Sequence, residues 1–231
     1  DDGRDDVVVL LTSSDQAAIF LGNGDGTLAS PWIMPIDSAE SPVNPAELAV
    51  GDVDDDGRVD LVFTDDRSHE VLLHYGRGDG SFEPSIRLDV QGGDTDVALA
   101  DVNGDGLLDI IGADSLVGRQ LSITTNAGDR SFDVPVTLGL PGEDSGAVRG
   151  ISPADLDGDG DLDLLVQTEP TDRIDVLVND GGTFTRAGSL LEVGGEEADQ
   201  GLRMLLRERP GGVDADRHLR DVAVAHENAA L

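Results

Sequence analysis

Three stretches constrain this chain more than any other feature: "DVDDDGRVDLVF" from Asp52, "DVNGDGLLDIIG" from Asp101 and "DLDGDGDLDLLV" from Asp155. Each crowds carboxylates around a glycine and then runs at once into apolar residues. Like charges at that density repel, and such blocks ordinarily stay solvated and disordered. A strand can follow directly only where something neutralises the cluster. Aligned, the loops place an oxygen-bearing side chain at positions 1, 3, 5 and 9. The candidate ligands are Asp52, Asp54, Asp56 and Asp60; Asp101, Asn103, Asp105 and Asp109; and Asp155, Asp157, Asp159 and Asp163. The main-chain carbonyl of position 7 (Arg58, Leu107, Asp161) completes each set. Hard oxygen ligands in this number suit Ca²⁺, which takes about six to eight of them in flexible geometry. Glycine at position 6 (Gly57, Gly106, Gly160) makes the sharp turn such a loop requires.

An EF-hand needs a glutamate at position 12 and helices on both sides. Position 12 is Phe63, Gly112 and Val166, and the residues leading to it are short apolar runs without helical period. A dockerin module would want an acid and a helix at the same place, and it fails there too. The ninth-position aspartate also recurs along the chain, at Asp6, Asp60, Asp109, Asp163 and Asp221. A period of about 50 residues marks a repeat architecture. Every unit reads alike: a strand before the loop ("ELAV", "DVALA", "VRGISPA"), a second after it, and a third about ten residues on ("AAIFL", "EVLLHY", "QLSITT", "RIDVLV"). A glycine-rich turn and a fourth strand ("SIRLDV", "VPVTLGL", "RAGSLLEV") close the unit. Four short antiparallel strands per repeat describe the blade of a β-propeller, so the expected class is all-β.

These units resemble FG-GAP or VCBS-type repeats, the blades of integrin α-subunit propellers and of many bacterial secreted proteins. The resemblance implies that the ion loop joins the first and second strands of each blade. It also implies a calcium-binding protein at the cell surface or outside the cell. The blades are expected at 45–92, 93–140 and 141–193, with partial blades at 1–44 and 194–231, so that the chain forms an incomplete arc of a larger propeller. At the opening, "DDGRDDVVVL" supplies only positions 5, 6 and 9, as Asp2, Gly3 and Asp6. In the last unit His218 stands where glycine is wanted, and Asp214 and Asp216 are out of register, so that loop is expected to be empty.

Composition narrows the function classes. Net charge is −33, which repels nucleic acid and anionic membranes. All basic residues are arginine, as in acidic, lysine-poor surfaces of saline habitats or in proteins of GC-rich genomes. Cysteine is absent, so no disulfide framework exists, and the longest apolar run, "VVVLL", is far too short to cross a bilayer. Extracellular calcium modules bind with Kd of about 10⁻⁴–10⁻³ M, which favours an exported protein. The tripeptide Arg77-Gly78-Asp79 aligns with the glycine-rich turns of the other repeats and reads as a hairpin rather than an adhesive ligand. "EDSG" at 143–146 reads as an inter-strand loop, and His69, His74, His218 and His226 form no zinc pair. Leu28, Phe82, Phe132 and Phe184 recur after the turn and are expected to plug the spaces between blades.

No catalytic constellation emerges. The expected function is that of a non-enzymatic module that binds Ca²⁺ and a protein partner. The alternative is a carbohydrate-binding or polysaccharide-lyase propeller; sugar sites usually stack a ring on Trp or Tyr, and only Trp32 and Tyr75 are present.

Overall fold

The computed structural model describes residues 3–37, 43–68, 70–92, 95–114, 120–140, 147–169 and 173–192. Every regular element among them is a strand. The first sheet holds β1 (Val7–Leu11), β2 (Gln16–Phe20) and β3 (Trp32–Pro35). The second holds β4 (Leu48–Gly51), β5 (Asp60–Thr64), β6 (Glu70–His74) and β7 (Ile86–Asp89) in sequence order. The third begins with β8 (Asp96–Ala100), β9 (Asp109–Asp114) and β10 (Gln120–Thr124). A short hairpin of β11 (Asn126–Gly128) and β12 (Ser131–Phe132) then leads to its outer strand, β13 (Val136–Gly139). The fourth is β14 (Ala147–Ala154), β15 (Asp163–Glu169), β16 (Arg173–Asp180) and β17 (Thr183–Glu192). All pairings are antiparallel, and all but β10 with β13 join successive strands.

Three four-stranded sheets and one three-stranded sheet therefore follow one another as blades, and none closes on itself. The first strands of the three four-stranded blades, β4, β8 and β14, neighbour each other, with β8 between the other two, so these strands form the inner row. The fourth strands, β7 and β13, are largely exposed on the outside. The partial blade expected at 194–231 lies outside the described residues, as do Asp2, His69, His218 and the segment 143–146.

The core lies between blades rather than within one. Strand β5 shows why its sequence, "DLVFT", is apolar without alternation: both of its faces are covered and every residue is buried. Leu61 and Phe63 point into a cluster shared with Ala17, Ile19 and Met34 of the first blade. Val62, on the opposite face, joins Val97 and Ile110 of the third. A third cluster fills the next interface, with Ile111 and Leu121 against Val148 and Leu164. Full burial of each such side chain stabilises by roughly 1.5–3 kcal/mol, so successive blades are held mainly by apolar area. The aromatic residues after the turns behave as the repeat pattern predicts. Phe82, Phe132 and Phe184 each pack against the cluster shared with the preceding blade, whereas Leu28, expected to do the same, is 46% exposed.

Candidate metal centre

The acidic loops join β4 to β5, β8 to β9 and β14 to β15, so each lies between the first and second strands of its blade. Their internal hydrogen bonds explain how so much charge folds tightly. The position 1 carboxylate caps backbone N–H groups that the turn leaves unpaired. Asp52 accepts from the N–H of Asp56 at 3.1 Å and of Gly57 at 2.8 Å. Asp101 accepts from Gly104, Asp105 and Gly106, and Asp155 from Gly158. Position 5 repeats the device two residues on, with Asp56, Asp105 and Asp159 each accepting from the N–H of position 7 at 2.9 Å. Gly57, Gly106 and Gly160 all have positive φ, as the turn requires. At position 4 two loops again use glycine, Gly104 and Gly158, while Asp55 adopts the same left-handed region at φ 56°.

The ninth-position aspartates of the three full loops, Asp60, Asp109 and Asp163, are fully buried, whereas Asp6 is exposed. Asp60 accepts from Val53 N through Oδ2 and from Gly76 N through Oδ1, both at 2.8 Å. Asp109 bridges Val102 N and Asn126 N, and Asp163 bridges Leu156 N and Asn179 N, in the same way. In the first blade Asp6 makes the equivalent bond to Gly22 N at 2.9 Å. This brace ties the second residue of the ion loop to the hairpin after the third strand. Sequence spacing marked the residue but not this duty, whose only sequence signal is that Asp6, Asp60, Asp109 and Asp163 are each followed 16 or 17 residues later by Gly or Asn. Burial pushes the Asp60 carboxyl up to about 6, with Asp54 and Asp52 adding in the same direction and the two N–H donors opposing. Burial likewise raises Asp109. A cation at the loop would favour the charged form of both.

Each carboxylate offers about four lone-pair positions, so the two N–H bonds to Asp60 leave room for an ion. Asp52, Asp54 and Asp60 bring one carboxylate oxygen each to within 4.8 Å of the others, as do Asp155, Asp157 and Asp159. In the first trio the Asp54 side chain is only 6% exposed, and its Oδ1 is buried with no hydrogen-bond partner. An orphaned anionic oxygen is costly unless a cation reaches it, so this donor set fits a hard metal ion. The loop opening with Asp101 differs because Asn103 replaces the position 3 carboxylate and donates through Nδ2 to Asp105 Oδ2 at 3.0 Å. At position 7 the side chains turn elsewhere. Arg58 pairs with Asp56 at 2.9 Å, and Asp161 accepts from Gly181 N at 2.7 Å. Leu107 contributes its N–H to Asp105.

The following blade also reaches the loops opening with Asp52 and Asp101. Asn126 Nδ2 donates to Val53 O at 2.6 Å and to Leu108 O at 3.1 Å. Asn179 Nδ2 does the same to Val102 O and Leu162 O. Away from the loops, His74 is buried with both ring nitrogens against main-chain oxygens, those of Glu83 and Ile36. The Arg77-Gly78-Asp79 turn is held internally, with Asp79 accepting from both N and Oγ of Ser81, which lowers its pKa. Asp25 and Thr27 make the same pair in the first blade.

A family model described as FG-GAP-like repeat matches residues 1–63, 52–112 and 101–166. Comparison with curated proteins gives no match. Among solved structures, the chain is similar to an Agrocybe aegerita lectin described by its recognition of non-reducing terminal N-acetylglucosamine, at 24% identity and a TM-score of 0.57. That likeness covers 82% of this chain and 50% of the lectin, so the chain spans about half the lectin's length. A second likeness, to the Photorhabdus luminescens Tc holotoxin pore, has 18% identity and covers 82% of this chain and 12% of the other; its TM-score of 0.35 carries no argument.

Proposed function

This chain belongs to the FG-GAP-like repeat family, and from that premise we propose that it is a calcium-stabilised, extracellular, non-enzymatic propeller module that binds a protein partner. The observation that carries the calcium reading is the buried, unpartnered Oδ1 of Asp54 inside a trio of carboxylates. Calcium at the loops would offset the repulsion among their acids and stiffen one edge of the blade array. Millimolar calcium is found mainly outside cells, which supports an exported protein. The net charge of −33 disfavours nucleic acid and anionic lipid as partners and favours a protein with a basic or neutral surface.

The test is thermal unfolding with Ca²⁺ and with EDTA. Calcium should raise the melting temperature, and Asp159→Ala or Asp56→Ala should remove more of that rise than Asn103→Ala. An identical melt in both buffers overturns the calcium reading.

Carbohydrate recognition is a second reading. It draws on Trp32, 46% exposed on β3, because an exposed indole is the ring on which sugars stack. The lectin named above recognises a sugar, and that likeness supports only the fold. Glycan-array binding that disappears in Trp32→Ala would establish this reading, and an array without hits would remove it.

A further inference from the structure

Position 3 of the loops opening with Asp52 and Asp101 faces the hairpin of the next blade. At the loop opening with Asp52, Arg130 reaches back from the turn between β11 and β12. Its Nε donates to Asp54 Oδ2 at 2.6 Å, and its Nη1 to Glu83 Oε2 at 3.2 Å. The guanidinium carbon lies 3.9 Å from the centroid of the Tyr75 ring. At the loop opening with Asp101, the following turn presents Gly182 instead, where an added Cβ would lie 3.6 Å from the Cβ of Asn103. A charged position 3 thus meets a cation, and a neutral one meets glycine.

The turn carrying Arg130 is not an easy one for that residue. Asp129 and Arg130 have φ values of 53° and 58°, where the matching turn uses Gly181 and Gly182. A non-glycine residue in this region is strained, and the conformation persists only where the surroundings enforce it. The surroundings here are Asp54, Glu83 and Tyr75, all in the preceding blade.

We propose that Arg130 is a resident cation of the Asp52–Asp60 loop, which competes with Ca²⁺ for Asp54 and couples ion binding to the contact between the second and third blades. The proposal rests on the calcium reading above. Arg130 holds Oδ2 of Asp54 and leaves the buried Oδ1 for the ion. With the loop empty, the guanidinium neutralises Asp54 and latches the third blade onto the second. An ion bound by Asp52, Asp54 and Asp60 repels the nearby guanidinium, so loading weakens the latch and the latch weakens loading. Arg130 is well exposed to solvent, which screens this opposition, so its effect on Kd is about one decade rather than several.

Calcium titration calorimetry on the wild-type chain, Arg130→Gln and Arg130→Lys tests the competition. Arg130→Gln should tighten one site by roughly tenfold, and Asp54→Asn should abolish that gain. Arg130→Lys keeps the charge and should stay near the wild-type Kd. Tyr75, the single tyrosine of the chain, gives a local signal, since its near-ultraviolet circular dichroism should change on loading in the wild type and much less in Arg130→Gln. In EDTA, Arg130→Gln should lower the melting temperature, and that loss should be clearly smaller in an Asp54→Asn background, where only the Glu83 and Tyr75 contacts remain. Unchanged or weaker calcium binding in Arg130→Gln overturns the proposal. If no variant binds calcium, the calcium reading falls and the competition with it. Coupling of Arg130 to Asp54 in EDTA would then show the latch alone.

Discussion

The hairpins after β2 and β6 carry glycine, Gly22 and Gly76, where those after β10 and β16 carry asparagine, Asn126 and Asn179. All four backbone N–H groups serve the same brace, donating to the ninth-position aspartate of their own blade. Beyond that they diverge. An added Cβ at Gly76 would meet the Val59 carbonyl oxygen at 2.1 Å, and one at Gly22 the Asp5 oxygen at 2.2 Å. Here the hairpin presses so closely on its loop that no side chain fits. The asparagines bond that same carbonyl in their own blade (Leu108, Leu162) and continue to the preceding blade's loop at Val53 and Val102. One repeat position thus gives close approach in two blades and a polar stitch between blades in the other two. The stitches lie next to ligand positions, so the loops opening with Asp52 and Asp101 are held from both sides.

The comparison breaks most readily at Gly76. Gly76→Ala should destabilise by more than about 3 kcal/mol, because two stretches of backbone must part to admit one methyl group. A denaturant midpoint within error of wild type would show that the close approach is dispensable. Next come Asn126→Ala and Asn179→Ala. Each leaves two carbonyls without a donor, one of them buried, and should cost about 2–3 kcal/mol. A loss no larger than that of a surface substitution would remove the stitch from the account. Chelation should follow in size. Calcium at 10 to 100 times Kd adds roughly 1.4–2.7 kcal/mol per occupied loop, read as the difference between melts in Ca²⁺ and EDTA.

The smallest effect concerns pH. Asp96 on β8 accepts from Ile151 N at 2.6 Å across to the next blade, and burial pushes its carboxyl up to about 6, with Glu47 adding to the rise. The folded chain therefore holds this proton more tightly than the unfolded chain does. Its contribution to stability is present in full below about pH 4, near the unfolded value, and is lost as pH rises through about 6. Asp60 carries the same sign in the ion-free protein. Urea midpoints in EDTA should fall between pH 4.5 and 7, and Asp96→Asn should flatten part of that slope. A slope untouched by Asp96→Asn would place the titration elsewhere.

Much of the fold was legible because its determinants are local. The strand after each loop follows from short apolar runs such as "LVFT", and the hairpin from the Gly-Asp turn at Gly78-Asp79, where nearest neighbours set the backbone. The plug role of Phe82, Phe132 and Phe184 was legible too, but not the exposure of Leu28 at the same repeat position. The brace made by Asp60, Asp109 and Asp163 was only half legible. Their spacing fits a ligand, but their burial and their bonds to the following hairpin depend on how the third strand returns. Arg130 left no sequence signal, because its match in the neighbouring repeat is a glycine and its partner Asp54 lies 76 residues away.

By itself the sequence determined the repeat, the all-β class, the position of the acidic loops between first and second strands, and the set of oxygens those loops can offer. All of these arise within one blade, from spacing and turn chemistry. Only the tertiary structure decided which loop receives an arginine, which receives an asparagine stitch, and which carboxylate oxygen is left without a partner. Those outcomes depend on how far one sheet is turned and shifted against the next. That rotation is set by apolar side chains such as Phe63, Val62 and Ile110 filling the space between blades, and no local pattern encodes it.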